Sequence, residues 1–477
     1  NAPVRLARGT DTQILQLING RPAWRTQAVD PSRRVAKLAK VNGMGSSGVR
    51  AYLMTDGTVK ACGMGTNNAN GDPTGSHVYV PSRLTPLDCD KRFVEVVSGG
   101  MQHYAMAENG EVWSWGYNNY GQLGHGDTAN RAAPTRIEYF VTNNIQIAQI
   151  VPSRTNYYDH ASVLFLTTDG KVYGCGYNNF GQLGNGTTAN QLVPVRCGSL
   201  TNIVCLSISG MPHHAYAVEN NGNLWVWGNN ANGQLGLGDA TVRQTPILHP
   251  SLNNVVKAVA SAGYTTAGNG PTGHGLILRA DGTIWGAGYN GYGQLGLGDT
   301  TDRTSFTQII HAAFFTDIFA GDGRYPACGA ISQDKDVYLW GYNGYGQIGN
   351  GTTANVAAPF KPVGAFQGNV TKAVMGGGVS VDGCVIQSGN KLWATGYNAN
   401  GNLGIGHASN VSTFQKVLGI SGTIQDWNLY GNGYAAWGIS VLYDDGRVDA
   451  CGENSVGACG TQPGNLHNVL ALTNVIF

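Results

Sequence analysis

Trp115-Gly116-Tyr117-Asn118-Asn119-Tyr120-Gly121-Gln122-Leu123-Gly124-His125-Gly126 decides the fold, because close copies of this stretch return along the chain. Its second residue recurs as Gly176, Gly228, Gly288, Gly341 and Gly396, with worn copies at Gly63 and Gly452. The steps between them are 53, 60, 52, 60, 53, 55 and 56 residues, a period near that of one four-stranded propeller blade rather than a helical solenoid. An all-β propeller of seven or eight four-stranded blades is therefore expected over residues 35–477, with a short β connector over 1–34.

One repeat shows the grammar. Ile203 to Ile208 alternates apolar and polar residues, His214 to Val218 follows, Asn221-Gly222 turns the chain into Leu224 to Trp227, and Pro246 to Leu248 is short enough for an outer strand. The turn recurs as Asp56-Gly57, Asn109-Gly110, Asp169-Gly170, Asp281-Gly282 and Asp445-Gly446, pairs that accept the positive φ of two-residue hairpins. In the motif, the apolar residue at Leu123, Leu183, Leu235, Leu295, Ile348 and Leu403 is expected to wedge between sheets. The asparagine at 118, 178, 230, 290, 343 and 398 is expected to tie the loop to its own backbone. A residue copied in blade after blade is structural; a catalytic centre needs only one copy.

Composition removes several function classes. Charged residues are 12% of 477 and the net charge is +1, so no broad field draws in nucleic acid or an anionic membrane. No long apolar run or signal-like start appears, so no membrane insertion is expected; the chain starts at Asn1 rather than Met, which leaves open whether a piece lies upstream. Nine cysteines, with no C-x-x-C pair, argue against a disulfide framework or a zinc site. Cys62, Cys175 and Cys451, standing where other repeats have tryptophan, read as buried fillers. His103, His160, His214 and His274 read as a repeated structural position. No hydrolase elbow, phosphate loop or metal-helix motif is present, so neither catalytic residues nor a cofactor is expected.

With its D-G hairpin and a trailing proline such as Pro134, Pro194, Pro246 or Pro359, W-G-Y-N-x-x-G-Q-L-G-x-G resembles the repeat of the regulator of chromosome condensation family. The resemblance implies a propeller, usually of seven blades. It also brings in the family's scaffolds and GTPase exchange factors; that activity resides in loops outside the motif and is not carried over. A second resemblance rests on Gly9, Thr10, Gln13, Leu15, Leu17, Gly20, Pro22 and Trp24, which match a short element of bacteriophage tail fibre proteins.

Together these readings lead to a virion tail fibre or spike component, a non-enzymatic adhesin in the phage tail assembled in the host cytoplasm. Leu15, Leu17, Pro22 and Trp24 would attach it to other tail proteins, with a homotrimer open to it. The loops before the second strands, carrying Tyr157, Tyr158, Tyr264, Arg324, Tyr325, Tyr430 and Tyr434, would bind a host-surface glycan or protein. The alternatives are a virion protein contacting only other virion chains, and an intracellular scaffold or exchange factor.

Overall fold

A computed structural model of the chain describes residues 13–18, 21–26, 34–41, 49–63, 65, 67, 70–72, 74–84, 91–153, 160–210, 213–264, 271–321, 323, 325–376, 383–431, 437–454 and 469–475. Eight blades of four antiparallel strands follow one another, at 35–83, 93–136, 147–196, 203–248, 255–309, 315–360, 370–416 and 424–474, the second extended by the short parallel strand Lys40–Val41. These are blades 1 to 8. Blade 4 has strands Ile203–Ile208, His214–Glu219, Leu224–Gly228 and Arg243–Leu248, in that spatial order. The hairpin β1 (Gln13–Ile18) and β2 (Arg21–Thr26) forms a sheet of its own.

The first strands are innermost and line a central channel. Each bulges at its second residue, between Val35 and Lys37, Phe93 and Glu95, Ile147 and Gln149, Ile203 and Cys205, and so on around the ring. A bulge adds twist, which lets radial sheets splay outward from a narrow centre.

The motif closes each blade against the next. Asn178 is fully buried; its Oδ1 accepts from the Leu183 N–H at 2.9 Å, and its Nδ2 donates to the carbonyls of Thr187 and Ala189 at 3.0 Å. Asn118, Asn230, Asn290, Asn343 and Asn398 make the same loop-spanning bond to the residue five on, at 2.8–2.9 Å. Asn178→Ala would leave the buried Leu183 N–H and two part-buried carbonyls without that partner and is expected to cost about 2 kcal/mol. Urea unfolding checks this, and a loss under 0.5 kcal/mol, roughly the size of a surface substitution, would contradict it.

The last motif glycine then reaches across. The N–H groups of Gly126, Gly186, Gly238, Gly298, Gly351 and Gly406 donate to Leu192, Gln244, Thr304, Ala357, Ser412 and Leu470 in the fourth strand of the following blade, at 2.7–2.9 Å. Outer edges that would otherwise recruit foreign strands are thereby partly occupied. Trp227 and Trp340 send their indole N–H to the carbonyls of Gln182 and Gln294 in the preceding blade, at 2.8 and 2.9 Å. Cys175 and Cys451 aim their thiols at the same kind of carbonyl, on Gln122 and Asn402, at 3.5 and 3.9 Å. With Cys62 they are fully buried, as expected of fillers.

Ring closure does not pair a strand from one end of the chain with a strand from the other. Val35–Leu38 is the first strand of blade 1 and Val469–Asn474 the fourth of blade 8, so the two end strands lie in different sheets. The seam is sealed face to face instead. The Val35 N–H donates to the Gly446 carbonyl at 3.0 Å and Asn428 Nδ2 to the Ala39 carbonyl at 2.9 Å, while Val35, Leu38 and Tyr52 share one core with Trp427 and Tyr443. Arg50 lies over the Tyr430 ring, 3.2 Å from its centroid.

Candidate functional site

In every blade the end of the third strand stands opposite the start of the second; in blade 4 Gly228 pairs with His214. The motif loops and the first-to-second-strand connections therefore emerge on one side of the ring, the motif face. The Asx-Gly hairpins emerge on the other, the turn face.

The motif face carries a chain of rings. The residue after each motif glycine and the residue three further on are aromatic in blades 2, 3, 5 and 6, and the second ring of one blade touches the first ring of the next. Centroids are 5.2 Å apart for Tyr120 and Tyr177, and 5.4 Å for both Tyr292 with Tyr342 and Tyr345 with Tyr397. Blade 4 breaks the series: Asn229 and Asn232 occupy both places, and Asn232 Oδ1 instead accepts from the Gly273 N–H at 3.1 Å. Two arcs result. Over blades 5 to 7, Tyr289, Tyr292, Tyr342, Tyr345 and Tyr397 form a half-buried tyrosine tract on which Tyr325 stacks, 4.5 Å from Tyr342 at 18°. Over blades 2 to 4, Tyr120, His160, Tyr177, His213 and Phe180 follow one another at 4.3–6.0 Å.

Of the residues singled out from sequence, Tyr325 joins the tract. Tyr430 is buried, its hydroxyl donating to the Cys451 carbonyl at 2.6 Å, and serves the seam. Tyr264 ends the first strand of blade 5, and its side chain lies outside the described residues, as do Tyr157, Tyr158, Arg324 and Tyr434. In the hairpin, Leu15 pairs with Trp24 and Leu17 with Pro22, so these four positions fall on one face of the ladder. Their side chains too lie outside the described residues.

The four histidines do not share one position. His214 and His274 stand opposite the motif glycines, His103 stands opposite Trp115, and His160 precedes its strand. The count to the motif glycine, fourteen residues for the first two but thirteen and sixteen for the others, already separated them. His103 Nδ1 and His214 Nδ1 meet the hydroxyls of Ser98 and Ser209 at 2.8 and 3.0 Å. Burial lowers both histidines from 6.5 to about 3, so each stays neutral, and sealed from solvent it has no route to a substrate. Among the described residues no group of three or more His, Cys, Asp or Glu is placed to hold a metal.

The regulator of chromosome condensation (RCC1) repeat matches residues 109–151, 169–218, 221–267 and 334–381, and a second form of it matches 93–122. These stretches of the ring are RCC1 repeats. The ring's eight blades exceed by one the number that the resemblance implied. The chain is 28% identical to the ultraviolet-B receptor UVR8 of Arabidopsis thaliana, over 77% of this chain and 78% of that protein. It is 28% identical to the mitochondrial RCC1 domain-containing protein RUG3 of the same plant, over 61% and 62%. The 25% match to human E3 ubiquitin-protein ligase HERC2 covers 74% of this chain but 7% of that enzyme. Yeast RCC1 (Prp20), solved bound to Kap60, superposes with a TM-score of 0.58 at 20% identity, over 88% of this chain and 96% of that one, a likeness of fold alone.

These relatives correct the reading of the chain as a phage virion protein. They are plant and animal proteins that share this repeat region, which removes the tail fibre and its decorating variant, tail partners through residues 1–34, the homotrimer, a host-surface receptor and a place in the virion. The error has a physical source. The matched residues 9 to 24 combine the turn-forming pairs Gly-Thr and Asn-Gly with a cross-strand apolar set, sequence chemistry that any short hairpin uses.

Proposed function

We propose that this RCC1-repeat propeller is a non-enzymatic scaffold or regulator that binds a partner protein on its motif face, centred on the tyrosine tract of blades 5 to 7. One observation carries the reading: Tyr325, from a connection that varies between blades, is stacked on the recurrent Tyr342 and held half-exposed within a continuous row of rings. Aromatic anchors fixed in advance lose little entropy on binding and dominate contact energies. Tyr157, Tyr158, Tyr264, Arg324 and Tyr434, in the connections of the same face, are proposed to flank the contact. The hairpin at residues 13–26, a separate sheet, is proposed to be a segment apart from the ring at 35–477. Relatives with this ring are named for a receptor and a ligase, and yeast Prp20 has been solved with Kap60 and tested against Gsp1p and histones. What is taken from them is only that such rings hold proteins.

The test is binding of a partner captured from source cells and then purified. Tyr325→Ala with Tyr342→Ala is expected to weaken affinity at least 10-fold by calorimetry, about 1.4 kcal/mol or more, with little change in melting. Val363→Ala, at a 93% exposed rim position, is expected to change nothing. Equal affinity in the tyrosine variant would remove the proposal.

A further inference from the structure

The tyrosine tract of blades 5 to 7 is built differently from the arc of blades 2 to 4, and the difference lies in two glycines. Three residues after the motif glycine, blades 5 and 6 carry Gly291 and Gly344, where the other full copies have Asn119, Asn179, Ala231 and Ala399. A Cβ on Gly291 would collide with the hydroxyl of Tyr289, and one on Gly344 with that of Tyr342. Neither glycine has a positive φ, so the backbone does not require them. They let Tyr289 and Tyr342 lie down over their own loops. The rings then meet edge to face, Tyr289 with Tyr292 at 72°, Tyr292 with Tyr342 at 76°, Tyr342 with Tyr345 at 68° and Tyr345 with Tyr397 at 81°, in centroid steps of 5.4–6.2 Å. A row of ridges and notches results.

The row is uncharged. No Lys, Arg, Asp or Glu occurs within 288–298, 341–351 or 396–406. After the first of these loops, Asp299 is paired with Arg303 at 2.6 Å, and Asp302 accepts from the Asn290 N–H at 2.7 Å. The loops also spend polar groups on themselves: in blade 6 Asn343 Oδ1 accepts from the Ile348 N–H, its Nδ2 donates to the carbonyls of Thr352 and Ala354, and Gln347 Oε1 accepts from the Tyr345 N–H, all at 2.9–3.0 Å. What this row offers a partner is chiefly neutral ring surface.

That surface lacks the apparatus of three common ways of taking up a peptide. Strand addition needs an open sheet edge, and this face presents strand ends and loops. A helix is about 10 Å across, too wide for notches between rings 5.4–6.2 Å apart. Phosphorylated or acidic segments need clustered arginines, and the three loops contain none. A polyproline II segment fits: proline has no N–H to satisfy, its flat apolar ring enters notches between aromatic side chains, and its preformed backbone loses little entropy. We infer that the motif face grips its partner through a proline-rich segment laid along Tyr289, Tyr292, Tyr342, Tyr345 and Tyr397. The inference rests on the motif-face reading and adds the chemistry of the partner. At about 3.1 Å per residue, about seven residues at most cover the row.

Blocked nonaproline, labelled at one end and titrated into the full chain by fluorescence anisotropy, is expected to bind saturably. It is expected to bind at least about 10-fold more tightly than a blocked Gly-Ser peptide of the same length, which is equally neutral but flexible. Tyr342→Ala is expected to weaken nonaproline at least about 10-fold. Gly344→Ala, which keeps every ring and alters only where Tyr342 lies, is expected to weaken it at least about 3-fold with melting unchanged. Excess nonaproline is expected to displace the purified partner. No saturable binding, equal binding of the Gly-Ser peptide, or an unchanged affinity in either variant would each overturn the inference. Should the partner depend on Tyr325 and Tyr342 while nonaproline fails to displace it, the inference falls and the motif-face reading stands. Should the partner ignore both tyrosines, the reading itself falls.

Discussion

Gly346→Ala is expected to destabilise the protein by about 3 kcal/mol or more, and Gly351→Ala, five residues on, by only about 1 kcal/mol. The two glycines belong to one motif copy and have nearly the same backbone, φ +82° and +81°. Placing alanine in that left-handed region costs about 1 kcal/mol at either site. Their surroundings differ. A Cβ on Gly346 would lie 2.5 Å from the Ser412 Cα in the fourth strand of blade 7, while a Cβ on Gly351 would meet nothing within 4 Å. Backbone cannot swing aside as a side chain can, so the Gly346 variant must separate two blades. Both keep the Gly351 N–H bond to the Ser412 carbonyl as a possible contact, which makes the pair a clean comparison of strain with strain plus collision. Urea midpoints measure it. Equal losses would mean that the blades are not packed as tightly as the motif implies.

Mild acid is expected to unfold the ring well before its carboxylates protonate. His103, His213, His214 and His274 are fully buried, and burial lowers each from 6.5 to about 3. Below pH 6.5 the unfolded chain takes up protons on these rings that the native state refuses. Their contribution is thus complete above about pH 6.5 and is lost as pH falls toward 3. The slope approaches about 1.4 kcal/mol per pH unit for each histidine, so about 5 kcal/mol per unit for the four. The paired aspartates, such as Asp127 and Asp239, are held below the usual carboxylate range chiefly by Arg131 and Arg243, and their contribution disappears only at lower pH. Urea midpoints at pH 7.5, 6 and 5 are expected to fall steeply between the last two, and His214→Asn to flatten the slope by one proton. A midpoint constant from pH 7.5 to 5 would contradict the neutral buried imidazoles.

Much of the ring was legible because its information is local and repeated. Asn221-Gly222 and its relatives set hairpins, Ile203 to Ile208 set an inner strand, and the count of motif glycines narrowed the ring to seven or eight blades, of which the structure has eight. What joins the blades was not legible. The contacts of Tyr345 with Tyr397, of Gly351 with Ser412 and of Trp340 with Gln294 link residues 46 to 61 positions apart and belong to the fold rather than to any one repeat. A usable clue was nevertheless present: aromatic residues at the first and fourth places after the motif glycine occur together in blades 2, 3, 5 and 6 and vanish together in blade 4. Tyr430 illustrates the limit in the other direction. It lies among tyrosine- and asparagine-rich residues that read as a binding loop, yet its ring is spent under Arg50 at the seam, and only the closed ring brings those two residues together.

Hydrogen–deuterium exchange of the full chain with and without its purified partner tests most directly the claim that this ring recognises protein through what differs among its copies. Protection is expected at 289–292, 325–345 and 397–400 on the motif face, with the Asx-Gly hairpins of the same blades unchanged. Protection confined to those hairpins, or spread evenly over all eight motif loops, would contradict it.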